Sequence, residues 1–133
     1  MWLLVGGFKI ISKPLNKSYL SKDGVIHSIY SGDQSASTVG QEGIKISQII
    51  NRQQQKGRPI LILSDISKIG EINLGARKAG LQLFRELEYE KLAIIGVTFL
   101  TQKLVNAVVI ASGRGFKIKT FESKNEAKRW LLS

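Results

Sequence analysis

Three short constellations in this 133-residue chain carry side chains able to hold a ligand or a phosphate. Asp65-Ile66-Ser67 follows the apolar run Pro59-Ile-Leu-Ile-Leu-Ser64. If that run is a strand, a carboxylate and a hydroxyl stand near its carboxyl end, where open α/β sheets take ligands. The local alternative is that both short side chains satisfy amides of the turn leading out of the strand. Gly96-Val97-Thr98 joins a second apolar run to a helix start, where Thr98 and the first free amides form a candidate anion site, or Thr98 is simply an N-cap. Gly113-Arg114-Gly115 follows a helix and reads as a C-cap and turn, not as a dinucleotide loop. His27 is the single histidine and lies in the alternating segment Val25–Tyr30. It is expected to be a strand side chain. With no cysteine, disulfides, thiolate metal sites and thiol catalysis are excluded. No nucleophile, base and orienting group can be placed together, so the sequence names no catalytic residue, no metal ligand and no cofactor.

The elements that must position these residues alternate. Extended segments are expected at about 3–11 and 24–31, with Asn16–Gly24 turn-like between them. Val39, Ile46, Ile49 and Ile50 recur at helical spacing over 37–56, between the capping candidates Ser35, Ser37 and Thr38 and the stop Gly57 with Pro59 beyond. Residues 59–65 and 91–96 read as strands covered on both faces. Helices are expected at 74–89 and 99–112, and a strand at 116–121. Ser123-Lys-Asn-Glu126 has the form of a capping box, opening a helix at 124–132 whose Ala127, Trp130 and Leu131 share one face. The pattern predicts one α/β domain over residues 1–133: a mixed, largely parallel four- to five-stranded sheet with flanking helices. Residues 1–18 would be an N-terminal extension or an extra strand.

Twenty basic and ten acidic groups give a formal charge of +10. Such a chain favours anionic partners, whether nucleic acid, acidic protein or anionic lipid. The excess is evenly spread, +5 in each of residues 1–58 and 59–133, and only Arg114–Arg129 is denser, with six basic and two acidic residues. Nucleic-acid binding is therefore a reading the chain allows without favouring. The N-terminus lacks a basic segment before its apolar run, and no stretch reaches the length of a membrane span, so a cytoplasmic location is expected.

The strand Leu61-Ile-Leu-Ser-Asp-Ile-Ser67, the strand Lys91-Leu-Ala-Ile-Ile-Gly96 and the ending Lys119-Thr-Phe-Glu-Ser-Lys-Asn-Glu-Ala-Lys-Arg-Trp-Leu131 resemble the SpoIIAA-like, STAS-type domains of bacteria. Asp23-Gly-Val-Ile26 suits their first shared strand, so the resemblance covers about 19–132. It implies a cytoplasmic regulatory or ligand-binding domain, with a fold shared with anti-sigma-factor antagonists and distantly with CRAL/TRIO lipid carriers. The best-known mechanism that the resemblance brings with it is a switch by phosphorylation of a serine at a helix start, in a pattern like Asp-Leu-Ser-x-Val-x-x-x-Asp-Ser-Ser-Gly. Asp65-Ile66-Ser67 and Ile69 match its first part, but Asn73-Leu-Gly-Ala76 stands where Asp-Ser-Ser-Gly would be. The acceptor serine is missing.

Helix faces suggest a surface. Over 74–89, Ala76, Ala79, Gly80, Leu83, Phe84 and Leu87 form one stripe, leaving Leu74 and Leu81 outward among Arg77, Lys78 and Arg85. Over 99–112, Leu100, Leu104, Ala107, Val108 and Ala111 form the inner stripe and leave Phe99 and Ile110 outward. These residues form a candidate interface for a homodimer or an acidic protein partner; the alternative is that they are covered within the monomer. The function expected from all this is a non-enzymatic regulatory or protein-interaction module not controlled by serine phosphorylation. Its alternatives are a carrier of a small apolar or lipid-like ligand and a basic nucleic-acid binder.

Overall fold

The structure, a computed structural model, describes residues 15–133. The segment expected at 3–11 lies outside them. Five strands and four helices follow one another: β1 (Lys17–Leu20), β2 (Val25–Gln34), α1 (Ala36–Gln55), β3 (Leu61–Ile72), α2 (Leu74–Glu86), β4 (Lys91–Ile95), α3 (Gln102–Ser112), β5 (Ile118–Phe121) and α4 (Lys124–Leu131). They form a single mixed sheet in the order β1-β2-β3-β4-β5, antiparallel at β1–β2 and parallel elsewhere. Right-handed crossovers between successive neighbours put their helices on one face. Ile26, Ile62 and Ile94 accordingly cluster with Ile46, Ile49 and Ile50 of α1. The opposite face, carrying Val25, Leu61, Leu63, Ala93 and Ile95, is covered by Ala127, Trp130 and Leu131 of α4.

The starts of α1, α2 and α4 fall within a residue of where the sequence places them. Ser35 caps α1 by accepting from the Thr38 amide, while the Thr38 hydroxyl accepts from the Ser35 amide. Ser123 accepts from the Glu126 amide at the start of α4, one half of the expected capping box. Asn73 caps α2 by accepting from the Ala76 amide at 2.8 Å. Residues 17–20, expected to be turn-like, instead pair with β2 from Lys17↔Ile29 to Leu20↔Ile26. A short edge strand has little pattern of its own, and the cross-strand partner supplies what its sequence does not.

β3 departs furthest from expectation. It runs to Ile72, seven residues past Asp65, and beyond the Asp65↔Ile95 pair β2 is its only strand partner among the described residues. The β2–β3 register shifts twice, so that Ile29–Ser31 faces Asp65–Lys68 and Gly32–Gln34 faces Ile69–Ile72. Each shift is a bulge that adds one residue to β3. An extra residue reverses the alternation of faces, so Ile66, Ile69 and Ile72, three apart, all point to the same side. Gln34 pins the β2 end of this ribbon: its amide donates to the Ser31 and Gly32 carbonyls and to Asn16, and accepts from Asn16 and the Thr38 hydroxyl.

Candidate functional site

Where the β2–β3 ribbon outgrows β4, the helix layer and the sheet separate and leave a partly open cavity of about 120 Å³. Ile66, Ile69 and Ile72 form one wall, and Leu83 and Phe84 of α2 with Val105 of α3 form the other. Its deep polar residues contribute little: Ser64 is buried and the Gln34 amide is fully engaged. Tyr30 also lines it, and burial pushes that phenol upward, so it stays protonated at neutral pH. Among the described residues Arg77 is the one charged residue of the lining. Its Nε donates to the Ile72 carbonyl at 3.1 Å, which ties the guanidinium to the end of the ribbon. Gly80 lies on the same helix face, and a Cβ there would meet nothing within 4 Å. Sequence reasoning placed Gly80, Leu83 and Phe84 on the inner stripe but not the cavity, whose signal was the Ile66-Ile69-Ile72 spacing.

The structure brings Asp65, Ser67 and Thr98 to one region, although Asp65 lies within β3 and not past its end. Gly96 follows β4 with φ +83°, and its Cα approaches Ser67 so closely that a Cβ would sit 2.3 Å from the Ser67 amide nitrogen. That amide already donates to Asp65 Oδ1 at 2.9 Å. The Thr98 amide donates to Thr101 Oγ1 at 2.9 Å, and the Thr101 amide returns to Thr98 Oγ1. These contacts are the local, turn-satisfying ones for Asp65 and Thr98, whereas Ser67 takes part through its backbone amide. Thr101, rather than Thr98, is the N-cap position of α3.

α3 begins three residues later than the spacing suggests, which moves Leu100 off its inner stripe. Phe99 and Leu100 are 91% and 89% exposed in the turn before the helix, while Ile110 is 80% exposed near its other end. The covered face is Leu104, Val105, Val108 and Val109, with Ser112 buried. Leu74 is exposed at the start of α2 and Leu81 is half-buried. Lys78 is exposed, and Arg85 donates to the Ala111 carbonyl at 2.9 Å, linking the carboxyl ends of α2 and α3. Leu74, Phe99 and Leu100 thus lie toward the cavity end of the domain, and Ile110 with the exposed Phe116 toward the opposite end.

His27 is 3% exposed, stacked on Tyr19 at 4.7 Å and hydrogen-bonded through Nε2 to Ser21 Oγ at 3.1 Å. Ser21 also donates to Asp23, so the order of contacts is carboxylate–hydroxyl–imidazole, with the serine in the middle. A relay that activates a serine needs the imidazole in the middle. The group instead closes the β1–β2 hairpin. Lys128 pairs with Asp23 at 2.8 Å and holds its carboxyl at about 2, while burial pushes the His27 imidazole below its ordinary range. Within the denser basic segment, Arg114 donates to the Leu87 carbonyl and lies over the Tyr89 ring, and Lys117 donates to the Tyr89 carbonyl. Half of that segment's cations, Lys128 included, are therefore committed to contacts within the fold. A second cavity, about 340 Å³, opens at the amino ends of the strands among Lys22, Asp23, Arg58, Glu90 and Lys91. Among the described residues there is no cluster of metal-ligating side chains and no helix long and apolar enough to cross a membrane.

One mixed sheet, three helices on one face, a closing helix on the other and an apolar opening at the splayed end define a three-layer α/β domain. The chain belongs to the SpoIIAA-like family, whose model matches residues 36–132. Two solved structures share the fold. An uncharacterized protein of the DUF3478 family with a SpoIIAA-like fold, from Shewanella loihica PV-4, is 20% identical over 95% of this chain and 99% of its own, with a TM-score of 0.58. The anti-sigma factor antagonist SpoIIAA in its unphosphorylated form is 14% identical over 86% of this chain and 94% of its own, with a TM-score of 0.59. No curated protein matches the chain.

Proposed function

We propose that this protein is a regulatory interaction module that works by binding, not by turnover, and that associates with a second copy of itself through α3 and the start of α2. The observation that carries this reading is α3 itself: seven of its eleven residues are apolar, yet only Ser112 is buried. With Phe99 and Leu100 beside it, this helix leaves more apolar surface in water than a helix packed on both sides would. Burying such surface against a second copy is favourable by about 25 cal/mol for each Å². The repulsion between two +10 chains is screened within about 8 Å at physiological salt. Lys78, Arg77 and Lys103 flank the surface and suit it equally to an acidic protein partner. Asn73, Leu74 and Gly75 at the start of α2 support a module without the serine switch. Sedimentation across the micromolar range tests the reading. A monomer–dimer equilibrium that strengthens with salt and is weakened by Phe99→Glu or Leu81→Glu is expected, and a chain that stays monomeric throughout sinks it.

The cavity favours a second reading, a carrier of a small apolar ligand. Native mass spectrometry of freshly purified protein tests it: a retained low-mass species supports a carrier.

A further inference from the structure

We infer that the cavity between α2, α3 and the β2–β3 ribbon binds a small apolar monocarboxylate, its ring or short chain inside and its carboxylate on Arg77. This rests on the carrier reading and names its ligand. Size comes first. A cavity of about 150 Å³ walled by leucine, isoleucine and phenylalanine stays dry and accepts benzene. At about 120 Å³ with a comparable lining and an open mouth, this one suits a single aromatic ring or a chain of a few carbons. A long acyl chain is too large.

Polarity comes second. The Gln34 amide in the wall is engaged with Asn16, Ser31, Gly32 and Thr38, so it offers a ligand no unused donor or acceptor. Apart from that amide, Arg77 and the Tyr30 and Ser64 hydroxyls, the described lining is apolar, so the part of the ligand that enters is chiefly apolar, because a buried polar group left unpaired costs free energy. Charge comes third. Among the described residues Arg77 is the only ionisable cation lining the cavity, and its Nε bond to the Ile72 carbonyl fixes the plane of the guanidinium. Its terminal amino groups make no hydrogen bond or ion pair among the described residues. A fixed planar fork matches the two oxygens of a carboxylate. One positive charge balances one negative charge, whereas a phosphate dianion would enter half-compensated. Gly80 leaves the space open: no atom lies within 4 Å of its Cβ position, although a mid-helix glycine weakens the helix relative to alanine.

The test is a methyl NMR titration of the full chain with benzoate, with toluene as the headless probe and inorganic phosphate as the apolar-free one. Benzoate is expected to shift the methyls of Ile69, Leu83 and Val105, and phosphate is expected to leave them unmoved. Arg77→Gln should weaken benzoate about tenfold or more, as loss of a charge-assisted pair does, and leave toluene little changed. Gly80→Leu fills the cavity and should abolish both titrations without lowering the unfolding midpoint, so loss of binding there is not loss of fold. Toluene binding without benzoate binding overturns the carboxylate while sparing the carrier reading. If neither binds, both fall. An unchanged benzoate affinity in Arg77→Gln overturns the assignment of the head group.

Discussion

Replacing Gly96 by alanine should destabilise this domain more than the same change at Gly24, Gly57 or Gly113, left-handed glycines whose Cβ positions are open. Two costs add. Gly96 has φ +83°, where an L-residue is disfavoured by about 1–2 kcal/mol. Its new Cβ would lie 2.3 Å from the Ser67 nitrogen and 2.5 Å from the Ser67 Cα, both backbone atoms of β3. Relieving that overlap requires the end of β4 and β3 to move apart by roughly 1 Å, and forced shifts of that kind cost about 1–3 kcal/mol. The sum is about 2–5 kcal/mol. Gly113 separates the terms, since it has φ +71° and nothing within 4 Å of its Cβ position, so Gly113→Ala carries the conformational cost alone. Urea melts of the parent and both variants measure the difference directly. If Gly96→Ala costs no more than Gly113→Ala, the close approach of β4 to Ser67 does not limit the fold and the reasoning fails.

The closing helix should divide its stability unequally: Leu131→Ala, at a residue 1% exposed, is expected to cost about 2–5 kcal/mol in denaturant melts, and Trp130→Ala, half-buried beside Phe121, less. An equal or larger loss at Trp130 would make the tryptophan the anchor instead. The folded pKa of His27 lies below its ordinary 6.5, chiefly through burial, with Lys128 and Lys124 adding to the effect and Asp23 opposing it. Between the folded and unfolded values the unfolded chain binds more protons, so stability should be constant above that range and fall as pH drops below 6.5. His27 is the only histidine, so His27→Gln should remove this slope. A variant whose melts keep the same dependence between pH 7 and 5 would show that other groups carry it.

The layered fold was legible because its interior strands are continuous apolar runs and its helices are punctuated. Leu61–Leu63 and Leu92–Ile95 could be buried only on both faces, and Ser35, Gly57, Gly113 and Ser123 stand at or beside the helix ends. The cavity was not legible. Ile66, Ile69 and Ile72 recur at a period of three, which matches neither a strand nor a helix, and only the two bulges, set by pairing with β2, turn that spacing into one wall. Leu100 was misplaced for a related reason. The Thr98–Thr101 hydrogen bonds consume the first turn that the helical periodicity would include. Asp65 and Ser67 read as standing at a strand end, but β3 runs on to Ile72 because its pairing with β2 continues past Asp65, while the amides that Asp65 and Thr98 serve lie two and three residues further on.

The strand order has a bearing on how the molecule is made. Because every strand pairs with its sequence neighbour, the helix-covered face can assemble progressively as β2, β3, β4 and β5 emerge. The other face cannot. Among the described residues, Val25, Leu61, Leu63, Ala93 and Ile95 share a single cover, α4, which closes over them only when residues 124–131 leave the ribosome. Synthesis at about 5–20 residues per second leaves this apolar sheet face in water for seconds after its first strand is complete. That interval, more than the finished fold, is when this apolar face is open to aggregation.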